Sequence, residues 1–134
     1  MAKLDTIEGI GPATSEKLTT AGVKSVENLL ETGGTKKGRA QIAAASGITE
    51  IQILKLVNHA DLMRIKGVGG EYSELLEAAG VDTVPELAQR NAKNLAEKVK
   101  AINEEKKLVR TVPTETQIEN WIGQAKGLPK AVHH

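Results

Sequence analysis

The chain has 134 residues, no cysteine, and 18 Lys+Arg against 17 Asp+Glu. These numbers exclude a disulfide scaffold, a thiol nucleophile and a thiolate metal site, and they argue against a strongly basic nucleic-acid binder or an acidic disordered tail. The longest apolar run is four residues (42–45), too short to span a membrane, and the opening stretch with Asp5 and Glu8 lacks a secretory h-region, so a cytoplasmic protein is expected.

Only two aromatic residues occur, Tyr72 and Trp121, and Ala and Leu dominate the apolar set. Strands favour aromatic and β-branched residues, whereas Ala and Leu favour helices. The expected fold is all-α, with about eight to ten short helices and no sheet.

In chain order, Gly11-Pro12 reads as N-cap and N1 of a helix that runs to about Ala21, with Gly22 as its stop. Ser25 opens the next helix and Gly33-Gly34 ends it. Thr35 caps a helix that closes at Gly47, and Thr49 with Gln52 forms a capping box. Asp61 is expected to cap a short helix. Further on, Gly80 is a stop, and Thr83 with Glu86 reads as another capping box. Asn91 opens a long amphipathic helix broken at Val112-Pro113. Thr114 with Gln117 caps the last helix, on which Ile118, Trp121, Ile122 and Ala125 form one apolar stripe, and Gly127 and Pro129 end it.

The chain repeats itself. Residues 7–29 and 65–87, offset by 58, are identical at eleven of 23 positions, including Gly9/Gly67, Gly11/Gly69, Leu18/Leu76 and Gly22/Gly80. Two copies of one unit are expected, residues 1–60 and 61–128, followed by a tail at 129–134 in which His133 and His134 are either native or the start of a tag. The sharpest signal is the pair IEGIGP and IKGVGG. In each, a first glycine permits positive φ, an apolar residue plugs the core, a second glycine is expected to admit a close backbone, and a helix begins at once. The unpaired amides and positive dipole end of that helix suit an anion, most naturally a phosphate oxygen.

These stretches resemble the helix-hairpin-helix motif of DNA polymerases, repair glycosylases, ligases, Holliday-junction proteins and the carboxy-terminal domain of the RNA polymerase alpha chain. The full chain more closely resembles an uncharacterised bacterial family of tandem helix-hairpin-helix proteins, a domain of unknown function. The GIGP, TKKGR, VNHADLMRIKGVG, LLEAAGVDTVPELAQRN and NEEKKLVR stretches carry that resemblance. It implies that hairpin amides grip backbone phosphates without reading sequence. Carried over, the first hairpin offers Gly9, Gly11, Ala13 and Thr14, with Lys17 one turn on. The second offers Gly67, Gly69, Gly70 and Tyr72, with Lys66 beside them. Tyr72 either covers its hairpin or presents its hydroxyl to a ligand. Glu71, Glu74 and Glu77 place carboxylates after the second hairpin, which makes the first the stronger phosphate candidate.

Charge is uneven: net +1 over residues 1–45, −3 over 46–90 and +3 over 91–134. Lys36-Lys37-Arg39 and Lys106-Lys107-Arg110 are basic clusters, read as solvated helix ends or as flanks of a phosphate track. Residues 43–53 match helix-turn-helix spacing, but the supposed reading helix opens Thr49-Glu50 and carries only Lys55 as a base. No nucleophile, base and pocket combination occurs, and three scattered histidines form no metal site, so neither an enzyme nor a metal, cofactor or small-molecule substrate is expected. Two functions stay open. One is a non-enzymatic module on double-stranded DNA or structured nucleic acid; the other is a protein-interaction adaptor whose hairpins are structural.

Overall fold

A computed structural model describes residues 2–134. Among them are eight α-helices, one short 3-10 helix at Leu4–Thr6 and no strand, which bears out the all-α expectation. The helices are α1 (Pro12–Thr20), α2 (Val26–Gly33), α3 (Lys36–Ser46), α4 (Glu50–Leu62), α5 (Gly70–Ala78), α6 (Val84–Ala88), α7 (Ala92–Lys106) and α8 (Glu115–Gly127). Two compact units form. One holds the chain up to Asp61 together with Ala131–His134; the other is Leu62–Lys130. The last four residues thus belong to the first unit, not to a separate tail.

Local chemistry sets most helix ends. Ser25, Thr35, Asn91 and Thr114 each accept an amide three residues on, and Thr114 and Gln117 complete a reciprocal capping box. Thr49 and Gln52 do the same ahead of α4. α1 and α5 end alike. Gly22 and Gly80 have φ near +90°, and the amides of Val23 and Val81 reach back to Leu18 and Leu76 at 2.9 Å. This six-to-one bond, with the Gly22→Thr19 and Gly80→Glu77 bonds, is the Schellman arrangement.

Three expectations are corrected. Thr83 makes no side-chain cap; Glu86 instead takes Arg90 at 3.0 Å, since a guanidinium outcompetes a neutral amide for a carboxylate. α7 stops at Lys106, before Val112-Pro113: Lys107 turns left-handed (φ 51°), and the Asn103 side chain holds both the amide and the carbonyl of Val109. Asp61 does not open a short helix; it lies inside α4 and is fully buried.

The first unit buries Ile7, Leu18, Val23, Leu29, Ile53 and Val57 around α1–α4. Its C-terminal segment is fixed at the α2–α3 corner. His133 donates its amide to Gly34 at 2.7 Å, and Val132 is buried. Arg39, only 5% exposed, donates to the carbonyls of Gly33 (2.9 Å) and His133 (2.7 Å). Gly38 is required at this corner, because any Cβ there would overlap the Thr32 carbonyl. The second unit packs Leu75, Leu76, Val81, Leu87, Val99, Ile118 and Trp121 into one core. The predicted stripe of α8 (Ile118, Trp121, Ile122, Ala125) faces it throughout.

Candidate functional site

Each glycine loop is built by short inward bonds. Ile7 and Ile10 donate to Leu4 and Ile7 in the first loop; Ile65 and Val68 donate to Leu62 and Ile65 in the second. The apolar residues between the glycines, Ile10 and Val68, are buried as expected. Gly9 (φ 92°) and Gly67 (φ 97°) make the turn in a region that other residues adopt only with strain.

The second glycines behave differently from the expectation. Gly11 (φ −92°, ψ −175°) and Gly69 (φ −100°, ψ −164°) are extended N-caps, and a Cβ on either would meet nothing within 4 Å. No neighbouring backbone approaches them. They face open space ahead of the helix.

In α1 the first amide to reach a backbone carbonyl is that of Ser15, bonded to Gly11 at 2.9 Å; in α5 it is Ser73, bonded to Gly69 at 2.9 Å. Among the described residues, the amides of Gly9, Gly11, Ala13 and Thr14 meet no protein acceptor, nor do those of Gly67, Gly69, Gly70, Glu71 and Tyr72. Unsatisfied first-turn donors are intrinsic to helices, and an anion satisfies them best. Pro12 has no N–H, so α1 presents two first-turn amides where α5 presents three.

The first-loop residues come together at the start of α1, with Gly9, Gly11, Ala13 and Lys17 exposed and Thr14 half-buried. The concavity beside this loop, however, lies on another side of the helix. Asp5, Ile10, Gly11, Pro12, Ser15, Glu16, Thr19 and Thr20 line it, and two of these are carboxylates. The second loop has its own shallow depression, lined by Gly67, Gly69, Gly70, Glu71 and Tyr72. Lys66 is exposed beside it and occupies the position Glu8 holds in the first loop.

The Tyr72 hydroxyl donates to the Thr111 carbonyl at 2.9 Å, and its ring meets that of Trp121 at 5.3 Å. Its hydroxyl proton is therefore committed to the protein rather than presented to a ligand. Arg64 donates to the Pro129 carbonyl at 2.8 Å. Arg39 is buried and structural, so the first basic cluster reduces to Lys36 and Lys37, which begin α3 rather than end it.

Three residues of α8 support the second loop through contacts that no local pattern marks. Gln124 accepts the Lys66 amide at 2.9 Å and returns its own N–H to the Lys66 carbonyl at 3.1 Å. Asn120 fixes that side chain, accepting from Gln124 Nε2 at 2.8 Å. Trp121 packs beneath the turn: a Cβ on Gly67 would stand 3.0 Å from its indole Nε1. Neither contact has a local sequence signature, because each joins residues more than fifty positions apart.

A family model described as "Domain of unknown function (DUF4332)" matches residues 8–128. The chain belongs to this family. The match takes in both glycine loops and every α-helix. No curated protein and no solved structure matches the chain. No helix among the described residues is long and apolar enough to cross a membrane.

Proposed function

We propose that this DUF4332 chain is a non-enzymatic nucleic-acid-binding module that grips duplex backbone phosphates through its two glycine loops, in the manner of a helix-hairpin-helix. The observation that carries this reading is the paired set of outward-facing amides. Twice, a positive-φ glycine and an extended glycine deliver the chain into a helix whose first-turn N–H groups meet no protein acceptor. Amide donors aimed at phosphate oxygens position a duplex but carry no base information. The near-balanced charge sets the affinity low.

The test is binding of labelled duplexes of unrelated sequence to the wild type and to a Thr14→Glu, Lys17→Glu, Lys66→Glu variant. The proposal expects equal affinity across sequences in the wild type and an equal loss on all of them in the variant. A folded variant that binds like the wild type overturns it. A protein-interaction adaptor is the second reading. Ile51 favours it, standing 84% exposed on α4 beside Leu54. Ile51→Asp should abolish partner capture and leave duplex binding untouched if that reading holds.

A further inference from the structure

The two units differ most tellingly at the corner between α2 and α3. Thr35 and Asn91 are the N-caps of α3 and α7. Four residues after each cap, the second unit has Leu95, buried in its core, and the first has Arg39, equally buried. Just before each cap, the second unit has Arg90 and the first has Gly34. One copy thus carries a buried cation where its twin carries a core leucine, and a bare backbone where its twin carries a long side chain. Both departures serve the same object, the segment 131–134.

Gly34 is needed because a Cβ there would stand 2.5 Å from the Ala131 carbonyl oxygen. Its own carbonyl accepts the His133 amide, and Arg39 bridges the carbonyls of Gly33 and His133. His133 is therefore read at both its N–H and its C=O, as an extended residue is read by a neighbouring strand. The one buried side chain of the segment is Val132; Lys130, His133 and His134 are exposed.

We infer that this corner is a peptide-binding site, that Ala131–His133 are its resident occupant, and that an extended partner segment with one β-branched anchor displaces them. Main-chain recognition with a single side-chain pocket accepts any segment carrying the anchor. A segment held by one side chain and a few hydrogen bonds opens at low cost. A partner has room to gain further contacts, because the depression that Arg39 and His134 line continues to Lys36, Leu54 and the exposed Ile51. The resident segment then acts as a gate. Closed in at least about nine of ten molecules, it weakens a competitor at least about tenfold. The inference does not depend on phosphate at the glycine loops.

The experiment uses the full 15N-labelled chain, wild type and Val132→Asp, titrated with a capped peptide of sequence LPKAVHH. Val132→Asp should stay folded and speed hydrogen exchange at the His133 amide. The peptide should shift the Gly34 and Gly38 amides and the Arg39 Nε–H of this variant. Its dissociation constant should lie under about 1 mM, below the effective concentration of a tethered segment. On the wild type it should bind at least about tenfold more weakly. A peptide with aspartate in place of its valine should not bind. Arg39→Leu, which gives the first unit the residue of the second, should fold and lose peptide binding in the Val132→Asp background.

Equal binding to wild type and Val132→Asp overturns the inference, as does the absence of shifts in the variant up to about 5 mM peptide. So does a Val132→Asp chain that unfolds, which would make the segment core rather than occupant, or one whose His133 amide stays as protected as in the wild type. Duplex binding should be the same in both chains. A wild type that binds no duplex refutes the phosphate reading and leaves this inference standing.

Discussion

Gly67→Ala and Gly69→Thr change two positions in one loop, two residues apart, and the structure assigns them separate consequences. Gly67 has φ 97°, and a Cβ on it would stand 3.0 Å from Trp121 Nε1. The left-handed backbone alone costs an L-residue about 1–2 kcal/mol. The indole cannot swing away, since Trp121 is nearly buried in the core, so the contact brings the total to about 2–4 kcal/mol. Gly9→Ala, with φ 92° and open space around its Cβ, should show the backbone cost alone, a drop in melting temperature of about 3–8 °C.

Gly69 is extended, its Cβ direction is open, and threonine is about as good an N-cap as glycine. Gly69→Thr should therefore change stability by less than about 0.5 kcal/mol. Its branched side chain would stand in the path of a phosphate oxygen, so duplex affinity should fall about tenfold, the worth of one charge-assisted bond. Thermal denaturation followed by circular dichroism reads the first effect, and fluorescence anisotropy reads the second. The reasoning is refuted if Gly69→Thr destabilises as much as Gly67→Ala, or if it folds and binds like the wild type.

Thr114→Ala should cost about 1 kcal/mol through loss of its capping box, whereas Thr83→Ala should cost well under that, because Thr83 makes no side-chain cap; urea denaturation compares them. Arg39→Met should destabilise the first unit by about 1–3 kcal/mol, leaving two carbonyls without their donor, and should raise the hydrogen-exchange rate of the His133 amide. The Glu27 carboxyl is held below the ordinary 4.5 by hydrogen bonds from its own amide and from that of Ala2. Its folded value lies below its unfolded one, so its contribution is present above pH 4.5 and is lost as pH falls through the folded value. Glu27→Gln should flatten stability in that acid window, measured by denaturation at about pH 3 to 6 against the wild type.

The sequence marks a great deal of this fold, because glycine and capping residues act locally. Gly22, Gly47 and Gly80 carry their stop signals in their own φ, and Ser25, Thr35, Asn91 and Thr114 bond amides only three residues away. What stays hidden is what distant partners decide. Arg39 looks like one more surface cation in TKKGR until a carbonyl 94 residues away buries it. The Tyr72 hydroxyl is claimed by Thr111, 39 residues on. Thr83 and Glu86 satisfy the local capping pattern, yet Arg90 draws the carboxylate away. The loop residues of the candidate site are legible, because Gly-apolar-Gly before a helix is a local pattern. The support from Gln124 and Trp121 is not, nor is the openness at the second glycines.

The measurement that tests the central claim most directly is anisotropy of a labelled duplex with the full chain, repeated at about 50 and 200 mM salt. With about three or four phosphates neutralised by the two loops together, affinity should fall on the order of 10²-fold between those salts and be the same for unrelated sequences. Absence of binding at the lower salt with tens of micromolar protein, or binding that ignores salt, would contradict the account and make the glycine loops scaffold alone.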